Sequence, residues 1–178
     1  MPNYIASITV DNVIKALGDF IKTLLPAGDP PPVPVIRAEV NRVAPPYDQF
    51  VELTELLELD LSVPAMNYAN IVNQTAEIDA STRIDVQIDF YGEDSGDFAK
   101  AFKSAFRSSW GYDQFPVTVK PLYTSDGMQT PLVTGEEQYE RRWTLTASLQ
   151  YNPSVTVPQQ SATTATAIIK QPANFPTT

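Results

Sequence analysis

Ten residues, TRIDVQIDFY at 82–91, alternate between an apolar or small side chain and a polar one without a break. Only an extended strand with one buried face turns a period of two into separated surfaces. Thr82, Ile84, Val86, Ile88 and Phe90 share one side; Arg83, Asp85, Gln87, Asp89 and Tyr91 share the other. The same phase runs back through Ala76, Ile78 and Ala80, so an earlier start to the strand is compatible with the pattern. RWTLTASLQY, at 142–151, repeats the device. Trp143, Leu145, Ala147, Leu149 and Tyr151 face inward there, and Arg142, Thr144, Thr146, Ser148 and Gln150 face outward. Two such strands need a cover for their apolar sides.

Two helices supply it. Val13, Ile14, Leu17, Phe20, Ile21, Leu24 and Leu25 recur at helical spacing behind a cap at Thr9 or Asp11, and Pro26 ends the run. A second stripe, Phe98, Ala101, Phe102, Ala105, Phe106 and Ser109, follows the break at 92–96, with Asp94 or Ser95 as its cap. Burying three phenylalanines on one stripe is worth about 2 kcal/mol each. Lys100, Lys103 and Arg107 fall on its flank, as solvated charge or as a complement to an acidic neighbour.

The remaining segments read as edges and connections. The proline cluster at 26–34 is an extended link to a strand at 35–40. Residues 50–61 alternate as a strand through Val51, Leu53, Leu57, Leu59 and Leu61, but Glu55 and Leu56 interrupt the phase as a bulge or a helical turn would. Residues 62–70 and 125–137 read as loops. Residues 117–123 form a short strand whose Pro121 assigns it to a sheet edge. Residues 1–152 therefore form one α+β domain, a mixed and mostly antiparallel sheet packed by two helices. From Pro153 the composition changes: the last residues carry a single charge, Lys170, and no helical period. Residues 153–178 read as an extended arm, in which Val155 and Val157 alternate as an added strand does.

Composition narrows the chemistry. Histidine and cysteine are both absent, which removes the common proton shuttle, thiolate nucleophiles, disulfides and zinc–sulfur sites. The net charge of −9 disfavours tight binding to phosphate backbones. No stretch approaches the roughly 20 apolar residues of a membrane span, and residues 1–10 do not suggest a secretory leader. No glycine-rich phosphate loop occurs. Asp85 and Asp89 share a strand face about 13 Å apart, far for one metal ion. Adjacent Glu136 and Glu137 complete the candidate acidic groups. No catalytic residue, metal ligand or cofactor site is expected.

Several segments resemble a family of phage neck terminator (tail terminator) proteins. The longest is GEEQYERRWTLTASLQYNPSVTVPQQ, at 135–160. NRVAPPYDQFVELTEL at 41–56, RIDVQIDFYGEDSGDFA at 83–99, DQFPVTVKPLY at 113–123 and the Pro131–Leu132 pair follow the same order. The residues that carry the likeness are Asn41, Arg42, Pro45, Tyr91, Gly92, Gly135, Glu136, Glu137, Gln138, Tyr139, Arg142, Trp143, Gln150, Tyr151, Asn152 and Pro153. The proline run at 30–34 and the residues after Gln160 fall outside it.

The resemblance implies a structural virion protein of the head–tail junction, assembled in the host cytoplasm. It implies a homo-oligomeric ring, a hexamer, that caps the tail tube, stops its growth and joins it to a head-side connector or collar protein. A sheath protein is a further partner if the tail is contractile, and DNA is a partner only in passage through the lumen. Val155, Val157, Pro158, Gln159 and Gln160 become candidate subunit contacts. Two other readings stay open: a head-completion, connector or tail-tube subunit, and a small carboxylate-dependent hydrolase or binding module.

Overall fold

A computed structural model describes residues 6–26, 32–38, 46, 48–70, 73–130, 132–133 and 139–159. Helix α1 (Val10–Leu24) leads to β1 (Val35–Arg37), β2 (Phe50–Asp60), β3 (Ala65–Asn70), β4 (Thr75–Asp79) and β5 (Thr82–Tyr91). Helices α2 (Ser95–Phe106) and α3 (Ser109–Gln114) follow. Then come β6 (Val119–Thr124), β7 (Met128–Gln129), β8 (Leu132–Val133), β9 (Tyr139–Glu140), β10 (Arg142–Tyr151) and β11 (Ser154–Pro158). The main sheet runs β1-β2-β5-β10-β6, with β7 also pairing β10. Only β1–β2 is parallel among its pairs. The fold is α+β, as the patterning requires.

The two alternating decapeptides lie side by side. Arg142 pairs with Tyr91, and the register runs unbroken to Tyr151 and Thr82. Their inward faces meet the helices: Ile84, Val86, Ile88, Phe90, Leu145, Ala147 and Leu149 are buried with Val13, Leu17, Phe20 and Ile21. Phe20 stands among Phe102, Phe106 and Phe115, with ring centroids 5.9, 6.0 and 4.9 Å away. Such pairs add about 0.5–1.5 kcal/mol each beyond burial. Thr9 caps α1, exchanging side-chain hydrogen bonds with Asn12, and Leu25 is already extended ahead of Pro26.

Several expectations need correction. Residues 62–70 are not all loop, since β3 occupies 65–70; its side chains at 65–68 are exposed and carry no buried stripe to betray a strand. β7 and β8 likewise occupy parts of 125–137, too short for a period to register. The described residues contain three helices rather than two. Ser109 does not extend α2: it opens α3, which Ser108 caps by accepting from the Gly111 amide at 3.0 Å. The buried stripe of α2 centres on Ala99, Phe102 and Phe106, and Ala101 is exposed. Asp94 holds the cap position of α2 without a capping bond, and its carboxylate instead accepts from Gln49 Nε2 at 2.8 Å. The first strand covers 35–37, and 39–40 lie outside the described residues. β6 does sit at the sheet edge, where Pro121 costs no internal bond.

β3, β4 and β11 form a second sheet in the order β11-β4-β3. That order matches β10-β5-β2. Each strand continues its partner across a short break, at 61–64, 80–81 and 152–153. The phase shared by Ala76, Ile78 and Ala80 with β5 thus has a cause: β4 prolongs β5 beyond a kink. Ala80 N–H donates to the Pro153 carbonyl at 3.0 Å and Leu61 N–H to that of Ser81 at 2.7 Å, tying the breaks together.

Gly92 joins β5 to α2 at φ 103°, and a Cβ there would lie 2.5 Å from Gln49 Cγ. Both conformation and space call for glycine. Gly92→Ala is expected to cost about 1–3 kcal/mol, read as a lowered urea midpoint with unchanged m-value.

Candidate subunit interface

With the helices on one face of the main sheet, the opposite face carries the alternate side chains of β2, β5 and β10. Its centre is polar and internally bonded. Asp89 is 1% exposed. It accepts from Arg142 Nε at 2.9 Å, Thr144 Oγ1 at 2.5 Å and Gln87 Nε2 at 2.7 Å. Asp85 accepts from Ser148 Oγ at 2.5 Å and from Arg83 at 2.9 Å. Donors from the neighbouring strand therefore answer both carboxylates. The hydrogen bond to Asp89 holds the Arg142 guanidinium more firmly protonated than usual.

Aromatic side chains frame this face. Phe50 and Tyr91 stack with centroids 4.2 Å apart at 11°. Arg142 lies over Tyr91, and Arg83 over Tyr123, at 5.5 and 5.8 Å from the ring centroids. Burial, more than any other influence, pushes the Tyr91 hydroxyl well above its ordinary pKa; it donates to Glu52 at 3.1 Å. Tyr151, on the helix side, is raised for the same leading reason and donates to Glu58 at 2.5 Å.

The bulge between Glu55 and Leu57 changes which residues of β2 face where. Before it, Val51 and Leu53 pair with Phe90 and Ile88 on the helix side. After it, Leu57 and Leu59 pair with Asp85 and Arg83 on the open face, while Glu58 and Asp60 pair with Ile84 and Thr82. One inserted residue reverses the alternation. Leu56, Leu57, Leu59 and Leu61 are accordingly 51, 50, 40 and 47% exposed. β1 pairs with β2 only at 51–53, so the far half of β2 presents an uncovered backbone edge among the described residues. The single odd phase seen in the sequence concealed this reversal; the Glu55–Leu56 doublet was its signal.

The signature residues separate into two groups. Tyr91, Gly92, Arg142 and Trp143 meet at one end of the β5–β10 ladder; Gln150, Tyr151, Asn152 and Pro153 meet at the other. Trp143 is half-buried, with Gly96 and Gly127 against its indole. Gln150 donates to Ser81 at 2.9 Å and to Asn152 at 3.3 Å. Tyr139 pairs with Val133 in a two-stranded ribbon. Val155, Val157 and Pro158 lie in β11, paired with Ile78, Ala76 and Thr75 of the same chain, and Gln159 N–H donates to the Gln74 carbonyl at 2.7 Å. β11 is an edge strand, so its other side is not taken by β4. Asn41, Arg42, Pro45, Gly135, Glu136, Glu137, Gln138 and Gln160 lie outside the described residues.

A cleft of about 530 Å³ opens between α2 and Gly127, lined by Lys100, Lys103, Asp126 and Trp143. Lys103 bonds Asp126 and holds that carboxyl below the usual range. Among the described residues, no helix is long and apolar enough to cross a membrane. Likewise no group of three or more acidic, His or Cys side chains is placed to hold a metal ion.

Because Asp89 is sealed within the sheet, removing its cation should be costly. Arg142→Ala is expected to lose about 3 kcal/mol. The double variant Asp89→Leu/Arg142→Leu should lose less, since no carboxylate is then left unpaired. Equilibrium denaturation of the three proteins measures the difference.

A family model described as phage neck terminator protein matches residues 11–172 of the 178. The match includes α1, the proline run and residues beyond Gln160, all outside the segments that carried the resemblance. No curated protein matches the chain.

Proposed function

Since the chain belongs to the phage neck terminator protein family, and is thereby a structural protein of the phage neck, we propose that it acts as a homo-oligomeric ring, a hexamer, that caps the tail tube. The ring halts tube growth, meets a head-side connector or collar protein on its other side, and leaves a lumen through which DNA passes. Its role is mechanical rather than catalytic.

The observation that supports this reading is the sheet face opposite the helices together with the far half of β2, whose leucines are exposed and whose outer edge no described strand pairs. A sheet face on which Asp85 and Asp89 are paired internally, bordered by exposed leucines and a strand edge unpaired among the described residues, suits burial against protein, because interface centres exclude unpaired charge. Asp85 and Asp89, two of the four acidic candidates for a carboxylate-dependent hydrolase, are held instead by Arg83, Ser148, Arg142, Thr144 and Gln87, and the other two, Glu136 and Glu137, lie outside the described residues. A net charge of −9 agrees with a lumen that DNA slides through without adhering. In this reading residues 153–178 act as an arm. β11 fastens it to β4, Ser7 holds its other side at Ser154, and the edge beyond Ser154 adds to a neighbouring subunit, with Val155, Val157, Pro158, Gln159 and Gln160 as the candidate contacts.

Negative-stain electron microscopy of the purified protein tests the proposal. Closed rings of one layer are expected, with fewer of them when residues 153–178 are removed. Long hollow rods would indicate a tube subunit instead, and isolated monomers at high concentration would remove the ring altogether.

A further inference from the structure

Resting on the ring reading above, we propose that successive copies meet head to tail: the acidic, leucine-rich rim of β2 in one copy seats against the basic, aromatic flank of α2, α3 and β6 in the next. A ring closed by rotation needs two different surfaces on each chain that complement one another. The sheet supplies two apolar borders at opposite ends of its order, β2 beyond the reach of β1 and β6 at the far edge.

The first border is made by the bulge. Leu57 and Leu59 stand on the open face, and Glu58 and Asp60 lie along the same edge on the helix side. Among the described residues, Glu55 pairs with Arg37, and Glu58 and Asp60 make no ion pair. On the second border, Trp110, Tyr112, Leu122 and Tyr123 are each two-fifths exposed or more.

Charge points the same way. Lys15, Lys22, Arg37, Arg83, Lys103 and Arg142 each pair with a carboxylate. Lys100, Arg107, Lys120 and Arg141 make no ion pair among the described residues; the first three belong to the second border, while Arg141 donates to the Glu93 carbonyl at 3.5 Å. Lys120 Nζ sits 4.2 Å from the Tyr112 ring centroid, a cation presented on an aromatic surface. Asp97 and Asp113 are the acidic exceptions on this flank. In a chain of net charge −9, cations left over on one border face acids left over on the other. Pro121 has no N–H to donate, so the contact is one of side chains rather than a ladder continued from copy to copy.

Charge reversal distinguishes this contact from others. Glu58→Lys/Asp60→Lys changes the rim; Lys100→Glu/Arg107→Glu changes the flank. Sedimentation velocity reports assembly, and thermal melting confirms the fold. Each variant alone is expected to lose tenfold or more of its ring fraction. An equimolar mixture should recover it, since alternating copies place every reversed border against a fitting one in an even-numbered ring. Leu57→Gln, which leaves both charge sets intact, should also give monomers, and it decides the matter if Glu58→Lys lowers the melting temperature by losing the Tyr151 bond. Variants that assemble like the parent, or a mixture that stays monomeric, overturn the pairing and leave the ring standing. A parent chain that never assembles overturns both.

Discussion

The register of β5 against β10 governs the molecule. Ten consecutive pairs, from Arg142↔Tyr91 to Tyr151↔Thr82, run without a slip. A slip of β5 by one residue would carry Ile84, Val86 and Ile88 to the open side and Asp85 and Asp89 into the helices, and a slip of β10 would do the same to Leu145 and Leu149. Both halves of the pattern resist it. The apolar half is buried under α1 and α2; the polar half is closed by Arg142, Thr144 and Ser148 reaching the two aspartates across the strand boundary. Gly92, at the end of the same strand, turns the chain so that α2 returns over the face it must cover.

What depends on that ladder includes the part of the molecule that projects from it. β2, β5 and β10 each pass a break and re-form as β3, β4 and β11 in the same order. The small sheet is thus an extension of the large one, positioned by it. The bulge in β2 works at the same level: it ends the inward-facing role of that strand and turns the following leucines to the open side. A strand that serves the core in its first half serves the exterior in its second.

Sequence patterning was sufficient where a period had ten residues in which to repeat. β5, β10 and α1 were legible for that reason, and Pro121 marked β6 as an edge because a missing amide hydrogen admits few positions. Patterning failed where tertiary contacts outweigh local preference. β3 exposes its described side chains, so nothing in residues 65–70 distinguished a strand from a loop. β7 and β8 are two residues long. α3 is a six-residue helix signalled only by Ser108. The open face was the subtler case: Asp85 and Asp89 read only as candidate acidic groups, because Arg142, Thr144 and Ser148, which satisfy them with Arg83 and Gln87, are more than fifty residues away in sequence. Resemblance in the C-terminal segments pointed to the neck terminator family, and the match over residues 11–172 shows it.

The ring reading turns on surfaces offered to other subunits, and the far half of β2, with its exposed leucines and an outer edge unpaired among the described residues, is one of them. Hydrogen–deuterium exchange, compared between the assembled and the dissociated protein, examines it directly. The account predicts that the amides of 55–60 that point away from β5 exchange fast in the dissociated chain and slow on assembly, while those of β5 and β10 stay protected in both. Unchanged fast exchange of those 55–60 amides in the assembled protein would contradict it.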